Sequence, residues 1–117
     1  MLSTLSLFTD LILSFEVLLQ ENRNDLSKTK IKLTLSDHSF LFLREIIIES
    51  TLFDYSYHWQ TEDGIFIMRW DNAQHYPHIE THPHQRHVGN ETNVEPSYEQ
   101  TLLQVMNYIK KQLNPQL

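Results

Sequence analysis

The segment YSYHWQTEDGIFIMRWDN, residues 55–72, constrains the fold more than any other stretch of the chain. Two strand-like runs flank Asp63-Gly64, a dipeptide suited to a two-residue hairpin loop because both positions tolerate positive φ. With that loop the register follows: Glu62 opposes Ile65, Gln60 opposes Ile67, Trp59 opposes Met68, His58 opposes Arg69, and Tyr57 opposes Trp70. Side chains alternate between faces along each strand. One face then carries Tyr55, Tyr57, Trp59, Met68 and Trp70, and reads as core. The other carries Ser56, His58, Gln60, Ile67, Arg69 and Asp71.

The remaining elements are read around this hairpin. Residues 28–36 (KTKIKLTLS) alternate, with Ile31, Leu33 and Leu35 on one side and Lys30, Lys32 and Thr34 on the other, as in a half-buried strand. SDHS supplies a turn, which accounts for His38. Residues 40–49 (FLFLREIIIE) are apolar on both sides and predict a central strand. Near the N-terminus, Leu5, Phe8, Leu11, Ile12, Phe15, Leu18 and Leu19 recur at three- and four-residue spacing, predicting a helix over 4–21 capped by Ser3 or Thr4. A second helix is expected after Pro96, with Ser97 and Gln100 as a capping box, a stripe through Leu102, Val105, Met106, Ile109 and Leu113, and Lys110 and Lys111 near its C-terminus. The expected fold class is α+β: a four-stranded antiparallel sheet flanked by an N-terminal and a C-terminal helix (α-β-β-β-β-α), with the helices on one face. A chain of 117 residues is one domain's worth, 1–117, here with an ordered His-rich loop at 71–95.

Composition enters as exclusion. The chain has no cysteine, which removes disulfides, thiolate metal sites and a cysteine nucleophile, and fits a cytoplasmic setting. A formal charge of −6 speaks against a module that coats duplex nucleic acid with a broad basic face, while leaving room for a local cationic cleft. The apolar N-terminus has no Lys or Arg before Arg23 and is interrupted by Asp10 and Glu16. No secretory signal or membrane span is expected there.

The chemistry concentrates after the hairpin. Five of the seven histidines lie between His75 and His87, among Pro77, Pro83 and Arg86. One reading is a transition metal held by His82, His84 and His87, with His75 and His78 as further donors. A second is metal-free acid–base chemistry. Cleavage of RNA by its own 2′-hydroxyl needs one group to take a proton, another to return one, and cations to hold the phosphorane. Histidine titrates near working pH, and the arginine fork matches phosphate oxygens. A third is an imidazole-rich loop that only holds its own shape or docks on a partner. The adjacency of His58 and Arg69, with Asp71 available to orient an imidazole, favours acid–base work.

The motifs YSYHWQ, RWDNAQHYPHIETHPHQRHVG and NVEPSYEQTLLQVMNYI, spanning residues 55–109, resemble the TumE family of prokaryotic toxin–antitoxin proteins. The family's pattern of Tyr-His, then Arg-Trp/Tyr-Asp-Asn-Ala-Pro-His-His, then Pro-His-His-x-His falls on His58, Arg69, Asp71, Asn72, Ala73, His75, Pro83, His84 and His87. The chain departs from it at Gln74, Tyr76 and Gln85. The resemblance implies a toxin neutralised by a cognate antitoxin.

The catalytic candidates are His58, Arg69, Asp71, His75, His84 and His87, with Asn72 and Arg86 binding substrate. No cofactor is expected, the alternative being a divalent transition metal at His82, His84 and His87. The expected partners are a cognate antitoxin and an RNA substrate, with no membrane and a homodimer left open. Beside a toxin acting on RNA without metal stand a metal-dependent hydrolase or nucleotidyl-modifying toxin, and a non-enzymatic partner-binding protein.

Overall fold

The structure, a computed structural model, describes residues 1–114. It holds one antiparallel sheet of seven strands in sequence order: β1 (Ile12–Arg23), β2 (Leu26–Leu35), β3 (Phe40–Ile48), β4 (Thr51–Gln60), β5 (Phe66–Asp71), β6 (Gln85–Val88) and β7 (Val94–Pro96). Helix α1 (Leu2–Leu5), continued by a 3-10 turn at Ser6–Phe8, precedes the sheet, and helix α2 (Leu102–Leu113) follows it. The expectation of four strands between two long helices is therefore corrected: β1, β6 and β7 are additional, and the N-terminal helix is short.

The helix expected over 4–21 is mostly strand. Residues 12–23 pair with β2 across a turn at Asn24-Asp25, from Ile12↔Leu35 to Arg23↔Leu26. Register shifts fall between Ile12 and Ser14 and between Val17 and Leu19. Each inserts one extra residue, so positions sharing a face are three apart there instead of two. Ile12 to Phe15 and Val17 to Gln20 are such steps, and the first falls within the stripe that imitates helical spacing. The part that stays helical buries Leu5 and Phe8, with Leu11 just beyond, against the sheet.

The expected hairpin register holds at Tyr57↔Trp70, His58↔Arg69 and Trp59↔Met68. Its tip differs, because Gln60 pairs with Phe66 after an irregularity and the loop runs from Thr61 to Ile65. Thr61 Oγ1 accepts from the Ile65 N–H at 2.9 Å and donates to Asp63, which widens the loop beyond Asp63-Gly64. Between β3 and β4, Glu49 and Ser50 both take positive φ, the backbone of a two-residue hairpin turn.

Alternation sorts the sheet into two faces. Ile31, Leu33, Leu41, Leu43, Tyr55, Tyr57, Trp59, Met68 and Trp70 join Leu5, Phe8, Leu102, Val105, Met106 and Ile109 in one core. The capping box expected at Ser97 is displaced: Thr101 is the N-cap and accepts from the Gln104 N–H at 3.2 Å. Ser97 instead donates to the Glu99 carbonyl at 2.8 Å. Thr101 and Gln104 offer the same i, i+3 spacing one turn later. The opposite face is covered by neither helix, and the candidate chemistry lies there.

Candidate functional site

The open face is built by register. Lys30 pairs with Arg44, Lys32 with Phe42, Thr34 with Phe40, Phe42 with His58, and His58 with Arg69. Arg69 pairs in turn with His87, and Asp71 with Gln85. All of these side chains emerge on one side of the sheet. Lys32 Nζ lies 4.1 Å from the centre of the Phe40 ring, and the Phe40 and Phe42 rings meet edge to face. The His58 ring sits between Phe42 and Phe66, with Nε2 3.0 Å from Gln60 Oε1. A shallow groove of about 190 Å³ runs past His58, Ser56, Arg44, Phe42 and Lys30 to Leu18 of β1.

At the other end of this face Asp71 collects hydrogen bonds. Gln85 Nε2 and the Ala73 N–H donate to Oδ1 at 2.7 and 3.1 Å. Arg69 Nε and His87 Nε2 meet Oδ2 at 3.2 and 3.0 Å. Burial pushes the Asp71 carboxyl up, but the bonds from His87, Ala73 and Gln85 and the charge of His87 outweigh it and hold the group below the usual carboxylate range. His87 is only 3% exposed, and its Nδ1 faces the Glu91 carbonyl at 2.8 Å. With Asp71 at one ring nitrogen and the Glu91 carbonyl at the other, His87 has no nitrogen free for substrate. Arg69 is half-buried, and its second ion pair, to Glu91 at 2.6 Å, lies at an exposed carboxylate. Such a pair is weak and displaceable.

The family comparison meets this geometry. The family described as Toxin TumE matches residues 2–113, nearly the whole chain. The chain belongs to the TumE toxin family. Membership makes it the toxin component of a toxin–antitoxin system, with an antitoxin as its counterpart. Searches among curated proteins and among solved structures return no match. Among the described residues, no helix is long and apolar enough to cross a membrane.

The toxin's structure divides the candidate residues between two faces and a loop. His58, Arg69, Asp71 and His87 lie together on the open face. His84 does not join them. Its Nδ1 lies 2.7 Å from the Tyr55 hydroxyl and its ring stacks on Tyr55, on the core side of the sheet. Burial lowers the pKa of His84. Burial first, and the charge of Asp71 second, raise that of Tyr55, so the hydroxyl donates to Nδ1. Arg86 is also on the helix side, donating to Glu95 at 2.6 Å and Glu99 at 2.8 Å beneath the Tyr108 ring. Burial disfavours its charge, but the bonds and charges of those two carboxylates raise its pKa overall. Asn72 spends its amide on β4 backbone, accepting from the Tyr55 N–H at 3.0 Å and donating to the Phe53 carbonyl at 3.1 Å. These contacts tie Asn72 to β4 backbone and Arg86 to Glu95 and Glu99.

The stretch read as a loop over 71–95 contains β6 and β7, which leaves residues 72–84 irregular. His75, His78 and His82 are exposed on it. The Tyr76 ring meets those of His75 and His78 edge-on, at 6.5 and 6.3 Å, and packs against His87 at 6.4 Å. Tyr76 thereby links the rings of His75 and His78 to that of His87. Among the described residues, no group of three His, Asp or Glu side chains is arranged to hold a metal ion. The trio His82, His84 and His87 does not converge, because β6 sends His87 to the open face while His84 points to Tyr55.

Sequence reasoning passed over Gln85, Tyr76 and Glu91, which hold this cluster. It also passed over the aromatic members of the basic stripe, Phe40 and Phe42. Their signal was present, since the alternation that buries Leu41 and Leu43 sends Phe40 and Phe42 to the same side as Lys30 and Lys32.

Proposed function

We propose that this toxin acts on single-stranded RNA, bound across the open sheet face and cleaved there without metal by histidine acid–base chemistry. The observation that carries the reading is the adjacency of His58 and Arg69 on adjoining strands, on a face lined by Lys30, Lys32, Phe40 and Phe42. Aromatic faces stack on bases and lysines follow phosphates, a combination suited to single strands. Arg69, anchored by Asp71, has a phosphate-shaped fork whose Glu91 pair a phosphate can displace. His58 and the exposed loop imidazole His75 supply the two proton-transfer groups. One takes the 2′-hydroxyl proton as that oxygen attacks phosphorus, and the other protonates the departing 5′-oxygen. The products are a 2′,3′-cyclic phosphate and a 5′-hydroxyl, with no net loss or gain of protons. Asp71 and His87 act by positioning Arg69.

The test is incubation of purified toxin, freed of antitoxin, with a single-stranded RNA oligonucleotide in the presence of chelator. Cleavage to cyclic-phosphate ends is expected, reduced on the order of 100-fold or more in His58→Gln and in His75→Gln. RNA left intact by the wild-type toxin overturns the proposal.

A further inference from the structure

The sheet's two edges are protected unequally. β7 has three residues, including Pro96 and the ion-paired Glu95, and so offers little for another strand to pair with. β1 has twelve residues, no proline, and one side with no neighbouring strand. It carries Leu13 (56% exposed), Phe15 (57%), Val17 (49%) and Leu18 (49%). On the helix side, Ile12, Leu13 and Phe15 border an apolar groove of about 420 Å³ shared with Leu2, Leu5 and Leu33. On the open side, Glu16 and Glu21 stand opposite Lys32 and Lys28, yet neither acid forms a salt bridge among the described residues. Lys32 lies over Phe40 instead.

We propose that β1 is the docking site of the antitoxin, which adds an extended segment antiparallel or parallel to Ile12–Arg23. That segment places apolar side chains against Phe15, Val17 and the adjoining groove. On its other face it places Lys or Arg beside Glu16 and Glu21. Strand addition supplies main-chain hydrogen bonds for affinity and alternate side chains for specificity. The two unpaired acids suit a basic partner, and they disfavour two of the registers in which β1 would pair with a second copy of this chain. In one self-pairing that keeps both faces in phase, Val17 meets Gln20 of the copy, and Glu16 then meets Glu21 of the copy, twice. In the pairing centred on residue 16, Glu16 meets Glu16. Like charges directly opposite are destabilising. The site also accounts for neutralisation, because Leu18 borders the groove that contains His58, and a segment laid along β1 crowds the open face from that end.

The proposal rests on family membership and not on the chemistry assigned to the open face, and its test reads binding alone. The cognate antitoxin is co-expressed with the toxin and purified as the complex, and hydrogen exchange is compared between free and bound toxin. Protection concentrated in residues 12–23 is expected. Glu16→Lys with Glu21→Lys is expected to weaken the complex at least tenfold. Glu62→Lys, a like charge reversal on the exposed β4–β5 loop, is expected to leave it unchanged. Phe15→Ser, at a position 57% exposed, is expected to weaken the complex independently of charge. Protection confined to the face bearing His58 and Arg69 overturns the proposal, as does a free toxin that dimerises through β1, or equal weakening by Glu62→Lys. A toxin that fails to cleave RNA while giving the expected binding results sinks the proposed chemistry and leaves this site standing.

Discussion

His87 Nε2 donates to Asp71 Oδ2 at 3.0 Å on a diagonal of the β5–β6 ladder, where Asp71 faces Gln85 and His87 faces Arg69. The contact joins two polar residues that are nearly inaccessible, so it makes the polar neighbourhood of Arg69, Gln85 and His87 across β5 and β6 depend on one carboxylate. Asp71→Ala removes the acceptor of His87, Gln85 and Arg69 together. Breaking a buried charged pair from one side costs about 3–5 kcal/mol. Urea unfolding at neutral pH is expected to show a loss of that size, and RNA cleavage is expected to fall with it because Arg69 loses its anchor. A loss under 1 kcal/mol is incompatible with the hub described.

The same carboxylate predicts acid behaviour. The folded-state pKa of Asp71 is below its ordinary value, so the unfolded chain binds the proton more readily. The stability it contributes is fully present above the unfolded value of about 3.9 and is lost as pH falls through the lower folded value. Asp71→Asn is therefore expected to be less stable than wild type at pH 7 and to show a shallower decline below pH 4, as followed by tryptophan fluorescence in urea.

His84 predicts a second, higher window. Burial depresses its pKa from the ordinary 6.5, so the folded state prefers the neutral ring. Its contribution is intact above pH 6.5 and erodes as pH falls from there through the depressed folded value. His84→Gln is expected to flatten the pH dependence of the melting temperature just below pH 6.5. Once corrected for folded fraction, RNA cleavage by this variant is expected to match wild type, because the ring contacts Tyr55 on the core side and not the open face. A cleavage loss equal to that of His58→Gln would count against the division of the histidines between the two faces.

What was legible in the sequence follows from which pattern each element uses. The pairs Tyr57↔Trp70 to Trp59↔Met68 were readable because a turn dipeptide and strict alternation agreed. β1 was misread because its two bulges replace steps of two by steps of three. β6 was invisible for a different reason. Its inward residues on the open side are Gln85 and His87, buried through hydrogen bonds to Asp71, and a hydrophobic pattern cannot register polar burial. Without β6 there was no alternation to separate His84 from His87, so both were assigned to one site. The adjacency of His58 and Arg69 needed only the hairpin and was found.

The open face makes a prediction about affinity that is separate from catalysis. Lys30 and Lys32 form no salt bridge among the described residues, which leaves both ammonium groups available to phosphate. Each cation that neutralises a phosphate of single-stranded nucleic acid contributes about 0.7 to the slope of log K against log salt. In the His58→Gln background, which removes cleavage from the measurement, Lys30→Ala with Lys32→Ala is expected to lower that slope by about 1.4. Phe42→Ala removes a stacking surface worth about 1–3 kcal/mol per base and is expected to weaken binding without changing the slope. Fluorescence anisotropy of a labelled RNA oligonucleotide over a salt series reads both effects. A slope untouched by the lysine changes would place RNA away from this stripe, and an affinity untouched by Phe42→Ala would remove base stacking from the account.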